Sequence, residues 1–250
     1  MSQVEPEPEP EFRGILPGTK SSSFYSWRKP GMRVTDFPTV QSYIEYITDM
    51  FMDSIDPTSK IQPEIPASLY AVPSPIQQQT WLYYNMRHFV MEIGQLAGEL
   101  DTICTIQTCP KMKATNEWQF LCSSHPKATE CCAIDYTTHT IEAILSLLDS
   151  RQLFPNRDVI STKSNDTFNS MARRLYRIFA HVYFNHRNVY DEFESRTRLC
   201  DRYTAFCRQF SLVPEDNFKE ELEKRKGPSS TTSSTSSGSS FPSIHSKRHR

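Results

Sequence analysis

Two pairs of metal-binding residue types restrict the fold of this chain more than any other feature of its sequence. Cys104 and Cys109 form the first pair, and His181 and His186 form the second pair about seventy residues later. Thiolate and imidazole are the ligands of structural zinc sites, in which four ligands close a tetrahedron and leave no open position for water or substrate. The pattern therefore predicts a structural Zn²⁺ that joins two distant helical segments. The alternative is that the cysteines are buried apolar residues and that the histidines belong to the core or the surface.

A second and more compact group of the same residue types lies between these pairs. Cys122, His125 and Cys131 occur in the turn-rich segment CSSHPKATECC, and Cys132 follows directly. This group could bind a second metal ion or supply a replacement ligand for the first one. A loop with clustered sulfurs can equally consist of buried thiols, so both interpretations stay open.

The cysteine count and the N-terminus indicate the compartment. Seven cysteines are an odd number, and the N-terminal sequence MSQVEPEPEPEF lacks the basic region and apolar run of a secretory signal. We therefore expect a reduced, cytoplasmic protein, in which Cys/His clusters bind metal more often than they form disulfides. No apolar stretch approaches the length of about eighteen residues that a membrane span requires, so no span is expected.

The sequence contains none of the common catalytic or nucleotide-binding motifs. We find no GxGxxG, GxxxxGK[ST], GxSxG or HExxH, and we expect no catalytic residues. A zinc-dependent hydrolase is the alternative from another class, but it would need three protein ligands, an open position and a general base. The formal net charge of -1 gives no general attraction to nucleic acid, and no nucleic-acid partner is expected.

Apolar residues at spacings of three and four predict an all-α helical bundle. Helices are predicted to begin near Thr39 and to cover residues 80–100, 134–148, 165–188 and 191–210, with a proline-rich loop at 57–75 and a possible short strand at EWQFLC. His181 and His186 would point roughly 140° apart on an ideal helix. Because both are needed at one metal site, we expect the helix to end or distort near His186.

The ends of the chain have a different composition from the middle. Residues 1–20 form a Glu/Pro-rich head, and residues 223–250 form a Ser-rich tail. Such segments cannot bury enough apolar surface to fold, and both are predicted to be disordered. One folded domain is therefore expected over residues 21–222.

Three arginines lie on the helix that carries the predicted histidine ligands. Arg173, Arg174 and Arg177 fall within roughly 100° of one another on an ideal helix, beside the apolar face. Guanidinium groups on one rigid face could bind a phosphate through bidentate hydrogen bonds. The same three residues could also be a solvated basic face. A nucleic-acid surface is disfavoured because the stripe is short and no basic patch with aromatic residues extends it.

Five motifs resemble the Mob/phocein family, and most closely its phocein branch. The motifs are WxxxxMRHFVMEIGQLAGELDTIC, TCPKM, EWQFLC, IDYTTHT and RRLYRIFAHVYFNHR, in the family's order over roughly residues 16–218. The resemblance implies a Mob fold, which is a helical bundle with one structural zinc. It also implies that the zinc ligands are Cys104, Cys109, His181 and His186, and that the protein is an adaptor or co-activator of protein kinases rather than an enzyme.

The resemblance further implies particular partners. In the better-known branch a basic pocket binds phosphothreonine segments of Ste20-type (germinal-centre) kinases, at positions that match Arg173, Arg174 and Arg177. Proteins of the phocein branch are similar to subunits of striatin-based phosphatase–kinase assemblies (STRIPAK), which oppose Hippo-type signalling and connect to membrane traffic. The expected partners are therefore such kinases, a striatin-like scaffold and its phosphatase, with peripheral association at Golgi membranes.

The chain departs from the kinase-activating branch at one position. Activators of NDR/LATS kinases carry acidic residues just before the tryptophan that matches Trp81, whereas the five residues IQQQT at 76–80 contain no carboxylate. Direct co-activation of an NDR/LATS-type kinase therefore stays the alternative. The compact Cys122, His125 and Cys131 group resembles the phocein branch, which favours STRIPAK membership.

Overall fold

The computed structural model describes residues 29–59 and 61–219, and within them the regular structure is helical. The α-helices are α1 (Val40–Met52), α2 (Gln78–Leu100), α3 (Ala133–Asp149), α4 (Asn165–Asn185), α5 (Arg187–Thr197) and α6 (Leu199–Gln209). The predicted all-α class is thereby confirmed. The head and tail that the sequence predicts to be disordered lie outside the described residues. Among the helices described, none combines the length and apolar character that crossing a membrane would require.

Helix α2 lies at the centre of the bundle. It packs against α1, α3, α4, α5 and α6, and all six helices contribute side chains to one continuous apolar core. Trp81 near its start is fully buried, and its indole Nε1 donates to the carbonyl of Tyr70 at 3.0 Å. Tyr70 belongs to a short 3₁₀ turn (Ala67–Tyr70) in the predicted proline-rich loop. The loop is thereby anchored on the core.

The predicted helix boundaries hold where the sequence carries a local signal. Thr39 caps α1: its hydroxyl accepts from the backbone N–H of Ser42, and the Ser42 hydroxyl accepts in return from the N–H of Thr39. Helix α4 ends at Asn185 because His186 leaves the helical region, with φ −134° and ψ 52°. This confirms the distortion expected near His186.

The single helix predicted over residues 191–210 is wrong, because the chain turns at Arg198. Arg198 has a left-handed backbone with φ 50°, which separates α5 from α6. The Glu194 carboxylate accepts hydrogen bonds from the backbone N–H groups of Cys200 and Asp201, both at 2.9 Å. These N–H groups have no acceptor within α6, so a carboxylate from α5 caps the next helix.

The short strand predicted at EWQFLC is also wrong. The segment between α2 and α3 forms only isolated bridges, one between Lys113 and Gln119 and one between Cys122 and Thr129. Tight turns separate these pairs, so no continuous ladder develops. We call residues 113–129 the bridged loop.

A buried ion pair joins α6 to α2. The Arg202 side chain is fully buried and donates to both carboxylate oxygens of Glu92, at 2.5 and 3.1 Å, and to the carbonyl of Thr197 at 3.0 Å. Burial by itself would lower the pKa of Arg202, but the attraction and hydrogen bonding of Glu92 and Tyr70 together outweigh it, and the pKa is raised. The buried positive charge of the guanidinium therefore depends on Glu92 for its compensation.

Replacement of Glu92 by Ala should lower the free energy of unfolding by about 3–5 kcal/mol, because it leaves a buried charge without its partner. Glu99→Ala is the matched control on the same helix, since Glu99 pairs with Arg196 at 2.9 Å where both side chains are substantially exposed. The control should cost less than about 1 kcal/mol. Urea unfolding of both variants checks this, and equal losses would contradict the assignment.

Candidate metal centre and arginine pocket

The structure brings Cys104, Cys109, His181 and His186 together, and we call them the buried cluster. Their donor atoms all lie within 4.8 Å of one another. The Sγ of Cys104 is 3.4 Å from Nε2 of His181, and the Sγ of Cys109 is 3.3 Å from Nε2 of His186. Ligands at about 2.3 Å for sulfur and about 2.0 Å for nitrogen around a tetrahedral ion are about 3.6 Å apart. The four residues could therefore hold a metal ion.

Two helix ends place these donors. Cys104 continues from the C-terminus of α2, where its N–H donates to the carbonyl of Leu100 at 2.8 Å, and Cys109 follows in the next turn. His181 lies in the last part of α4, and His186 occupies the cap position just beyond it. Because the backbone leaves the helix at His186, the two imidazole rings approach to 5.2 Å between centroids.

The protonation states also fit a metal site. His181 Nδ1 lies 2.7 Å from the carbonyl of Lys113, which can only accept, so Nδ1 carries the proton and Nε2 offers its lone pair to the cluster. Burial lowers the pKa of His181 to about 4, so this imidazole is neutral near pH 7. Burial, followed by the neighbouring Cys109, raises the pKa of Cys104 to about 12. A thiolate at Cys104 therefore needs a cation beside it.

Cys109→Ser should remove the bound metal and lower the melting temperature by roughly 10 °C, because metal-binding energy at such a site is folding energy. Cys132→Ser is the matched control: Cys132 lies outside the cluster and holds the N-cap position of α3, which serine favours. Metal analysis and thermal unfolding check both variants. An unchanged melting curve for Cys109→Ser would contradict a structural role for the metal.

A second set of donors meets at the start of α3. The structure brings the predicted residues Cys122, His125 and Cys131 together and adds His139, and we call these four the peripheral cluster. His125 Nε2 lies 3.0 Å from the Sγ of Cys131, and His139 Nδ1 lies 3.7 and 3.8 Å from the sulfurs of Cys122 and Cys131. Cys122 is buried and the other three are half-buried. These four residues could also hold a metal ion.

The sequence pattern did not point to His139 as a donor. One feature of the sequence could have indicated it: His139 lies eight residues after Cys131, in the first turns of a predicted helix that directly follows the cysteine-rich loop. Because α3 begins two residues after Cys131, the first turns of this helix lie close to that cysteine. The gap is longer than the short spacings within each pair, so spacing alone does not mark His139 as a ligand.

Two of the three arginines of α4, Arg173 and Arg177, border a cavity, and we call this cavity together with the neighbouring Arg174 the arginine pocket. Arg173 is exposed, whereas Arg174 and Arg177 are half-buried. The cavity has a volume of about 150 Å³ and is lined by Trp118, Phe120, Arg173, Tyr176, Arg177, Ala180 and Asn217. Arg177 donates to the hydroxyl of Tyr136 at 3.1 Å, and its guanidinium carbon lies 5.0 Å from the ring centre of Phe120. The structure therefore holds Arg177 in place and does not leave it freely solvated.

Within the part of the chain that the structure describes, no ion pair neutralises the positive charge of this pocket. Across residues 29–59 and 61–219, no carboxylate forms an ion pair with Arg173, Arg174 or Arg177. Burial, with a contribution from the adjacent Arg177, lowers the pKa of Arg174 below its ordinary value. An anion in the pocket would relieve this repulsion.

The fold is a small helical domain in which two cysteines after α2 lie close to two histidines around the end of α4. The sequence model of the Mob1/phocein family matches residues 60–221, and the chain belongs to this family. This confirms the family that the motifs indicated. The chain is 38% identical to MOB kinase activator-like 4 of Drosophila melanogaster, over 82% of this chain and 88% of the relative.

Two further relatives show the range of the family. The chain is 36% identical to MOB-like protein phocein of Caenorhabditis elegans, over 80% of this chain and 86% of that protein. It is 29% identical to DBF2 kinase activator protein MOB1 of Saccharomyces cerevisiae, over 58% of this chain and 49% of that protein. The similarity thus extends over more of the chain for the relatives from Drosophila melanogaster and Caenorhabditis elegans than for the yeast kinase activator.

Proposed function

We propose that this protein is a non-catalytic adaptor of protein kinases that binds phosphothreonine segments in the arginine pocket. The observation that carries the proposal is the cavity lined by Arg173 and Arg177, with Arg174 close by, where no carboxylate of residues 29–59 and 61–219 pairs with any of the three guanidinium groups. The names of the relatives from Drosophila melanogaster and Saccharomyces cerevisiae, which call them kinase activators, support the kinase connection.

Zn²⁺ in the buried cluster would act as a structural cross-link. Two thiolates and two imidazoles are a common ligand set for structural zinc, and four protein ligands complete its tetrahedron. The zinc hydrolase alternative would need one of these positions for water or substrate. Instead, each of the four donor atoms lies 3.3 or 3.4 Å from another donor, a separation that suits two ligands of one tetrahedral ion and favours a closed site.

The pocket suits a phosphate attached to a short side chain. A phosphothreonine presents a nearly doubly charged group with three acceptor oxygens, which guanidinium groups bind through paired hydrogen bonds. Tyr136 and Phe120 orient Arg177 in advance, so less side-chain entropy is lost on binding. The apolar wall at Trp118 and Phe120 gives room for carbon atoms of the bound segment.

The partners follow from the same proposal. The partners we propose are Ste20-type kinases, a striatin-like scaffold and its phosphatase in a STRIPAK-type assembly, as the resemblance of the sequence motifs to the phocein branch implies. A cytoplasmic location, with peripheral association at Golgi membranes, stays a prediction from this resemblance. Direct co-activation of an NDR/LATS-type kinase is the alternative, and the absence of a carboxylate from residues 76–80 disfavours it.

Calorimetric titration with a phosphothreonine peptide from the linker of a Ste20-type kinase should show micromolar binding that disappears when the phosphate is removed. Arg174→Ala and Arg177→Ala together should weaken binding at least about a hundredfold, because each removes a charge-assisted hydrogen bond worth about 1.5–3 kcal/mol. Arg151→Ala is the control, since it removes the same charge from an exposed turn outside the pocket.

Two results would count against this proposal. Equal affinity for the phosphorylated and unphosphorylated peptides would show that the pocket does not recognise phosphate. Equal weakening in Arg151→Ala would show that only the overall charge matters. Arg177→Lys separates the two effects further, since lysine keeps the charge but loses the planar, bidentate group.

A further inference from the structure

The loop of the peripheral cluster has little apolar burial of its own. In residues 123–130 only His125 is even half-buried, and every other residue is exposed. Backbone hydrogen bonds hold its two ends, with Cys122 and Thr129 exchanging N–H···O bonds at 2.8 and 3.1 Å. Burial of apolar surface therefore cannot fix this loop against the bundle.

The four donors instead connect this loop to a helix. Cys122 and Cys131 lie at the two ends of the loop, His125 lies inside it, and His139 comes from the second turn of α3. Two sulfurs and two imidazole nitrogens are a ligand set that suits Zn²⁺. A metal ion here would close the loop on itself and on α3. Because three of the four donors are half-buried, the ion would exchange more readily than one in the buried cluster.

Both side chains that hold Arg177 lie next to this cluster. Phe120, which stacks on the guanidinium, precedes the ligand Cys122 by two residues. Tyr136, which accepts a hydrogen bond from Arg177, precedes the ligand His139 by three residues, so the two share a face of α3. A change in the position of the loop or of this helix turn would therefore move the wall of the arginine pocket.

We propose that Cys122, His125, Cys131 and His139 bind a second Zn²⁺, and that this ion fixes the wall of the arginine pocket and so controls phosphopeptide affinity. The second half of this inference rests on the proposed phosphothreonine function, whereas the metal site itself does not. Coupling between two sites is reciprocal, so a bound phosphopeptide should also slow the loss of the second ion to a chelator.

The test compares Cys131→Ser with Cys132→Ser in the full chain. Cys132 is the neighbour of a ligand but belongs to neither cluster. Metal analysis should find about two equivalents of Zn²⁺ per chain in the unmodified protein and in Cys132→Ser, and about one in Cys131→Ser. Titration with the phosphothreonine peptide should show affinity about tenfold weaker in Cys131→Ser and unchanged in Cys132→Ser.

Three further measurements test whether misfolding of the variant could explain a loss of affinity. Far-UV circular dichroism of Cys131→Ser should match that of the unmodified protein, because the buried cluster and the core remain. His139→Ala should reproduce the loss of one equivalent and of affinity. Mild chelation of the unmodified protein should lower the affinity, and added Zn²⁺ should restore it.

The outcomes separate the inference from the function on which it rests. One equivalent of Zn²⁺ in the unmodified protein would overturn the second site. Suppose that the unmodified protein holds two equivalents of Zn²⁺ and Cys131→Ser holds one. Equal peptide affinity of Cys131→Ser and Cys132→Ser would then overturn the coupling and leave the proposed function intact. Failure of the unmodified, two-zinc protein to bind the peptide would overturn the proposed function together with the coupling, while the metal count would still support the second site.

Discussion

Four donor atoms from two distant parts of the chain meet at the ends of α2 and α4, and the arginine pocket is built from the same two parts of the chain. The buried cluster brings the turn after α2 next to the end of α4. The carbonyl of Lys113, at the start of the bridged loop, accepts a hydrogen bond from His181. The loop that carries Trp118 and Phe120 thus begins at a contact with a ligand of the cluster. The arginines stand on the same helix as that ligand.

Much of this arrangement could be predicted from the sequence, because its signals are local or repeat at a fixed period. Apolar residues at spacings of three and four indicate the helices, and the Thr39 cap marks a boundary. The spacing of His181 and His186 predicts where α4 must end, because an unbroken helix would point the two rings apart. The residues of the buried cluster follow from ligand chemistry and from the short gap within each pair.

What escaped prediction depends on contacts between parts of the chain. The break at Arg198 has no glycine or proline to mark it, and the Glu194 carboxylate of the preceding helix caps the next one. His139 joins the peripheral cluster only because α3 starts directly after the loop. The partial burial of Arg177 likewise arises from Tyr136 of α3 and Phe120 of the bridged loop, and a helical wheel of α4 alone does not show these neighbours.

The buried cluster also has a topological consequence. Its residues Cys104 and His181 are separated by 77 positions. A bound ion would therefore close a loop as long as the loops that many disulfide bonds close. In the chain-entropy description, closing such a loop removes unfolded-state freedom worth about 4.5 kcal/mol at 25 °C. A disulfide keeps that contribution at any dilution, but a metal bridge supplies it only in proportion to occupancy. The folding equilibrium of this domain would therefore follow the concentration of free metal by mass action.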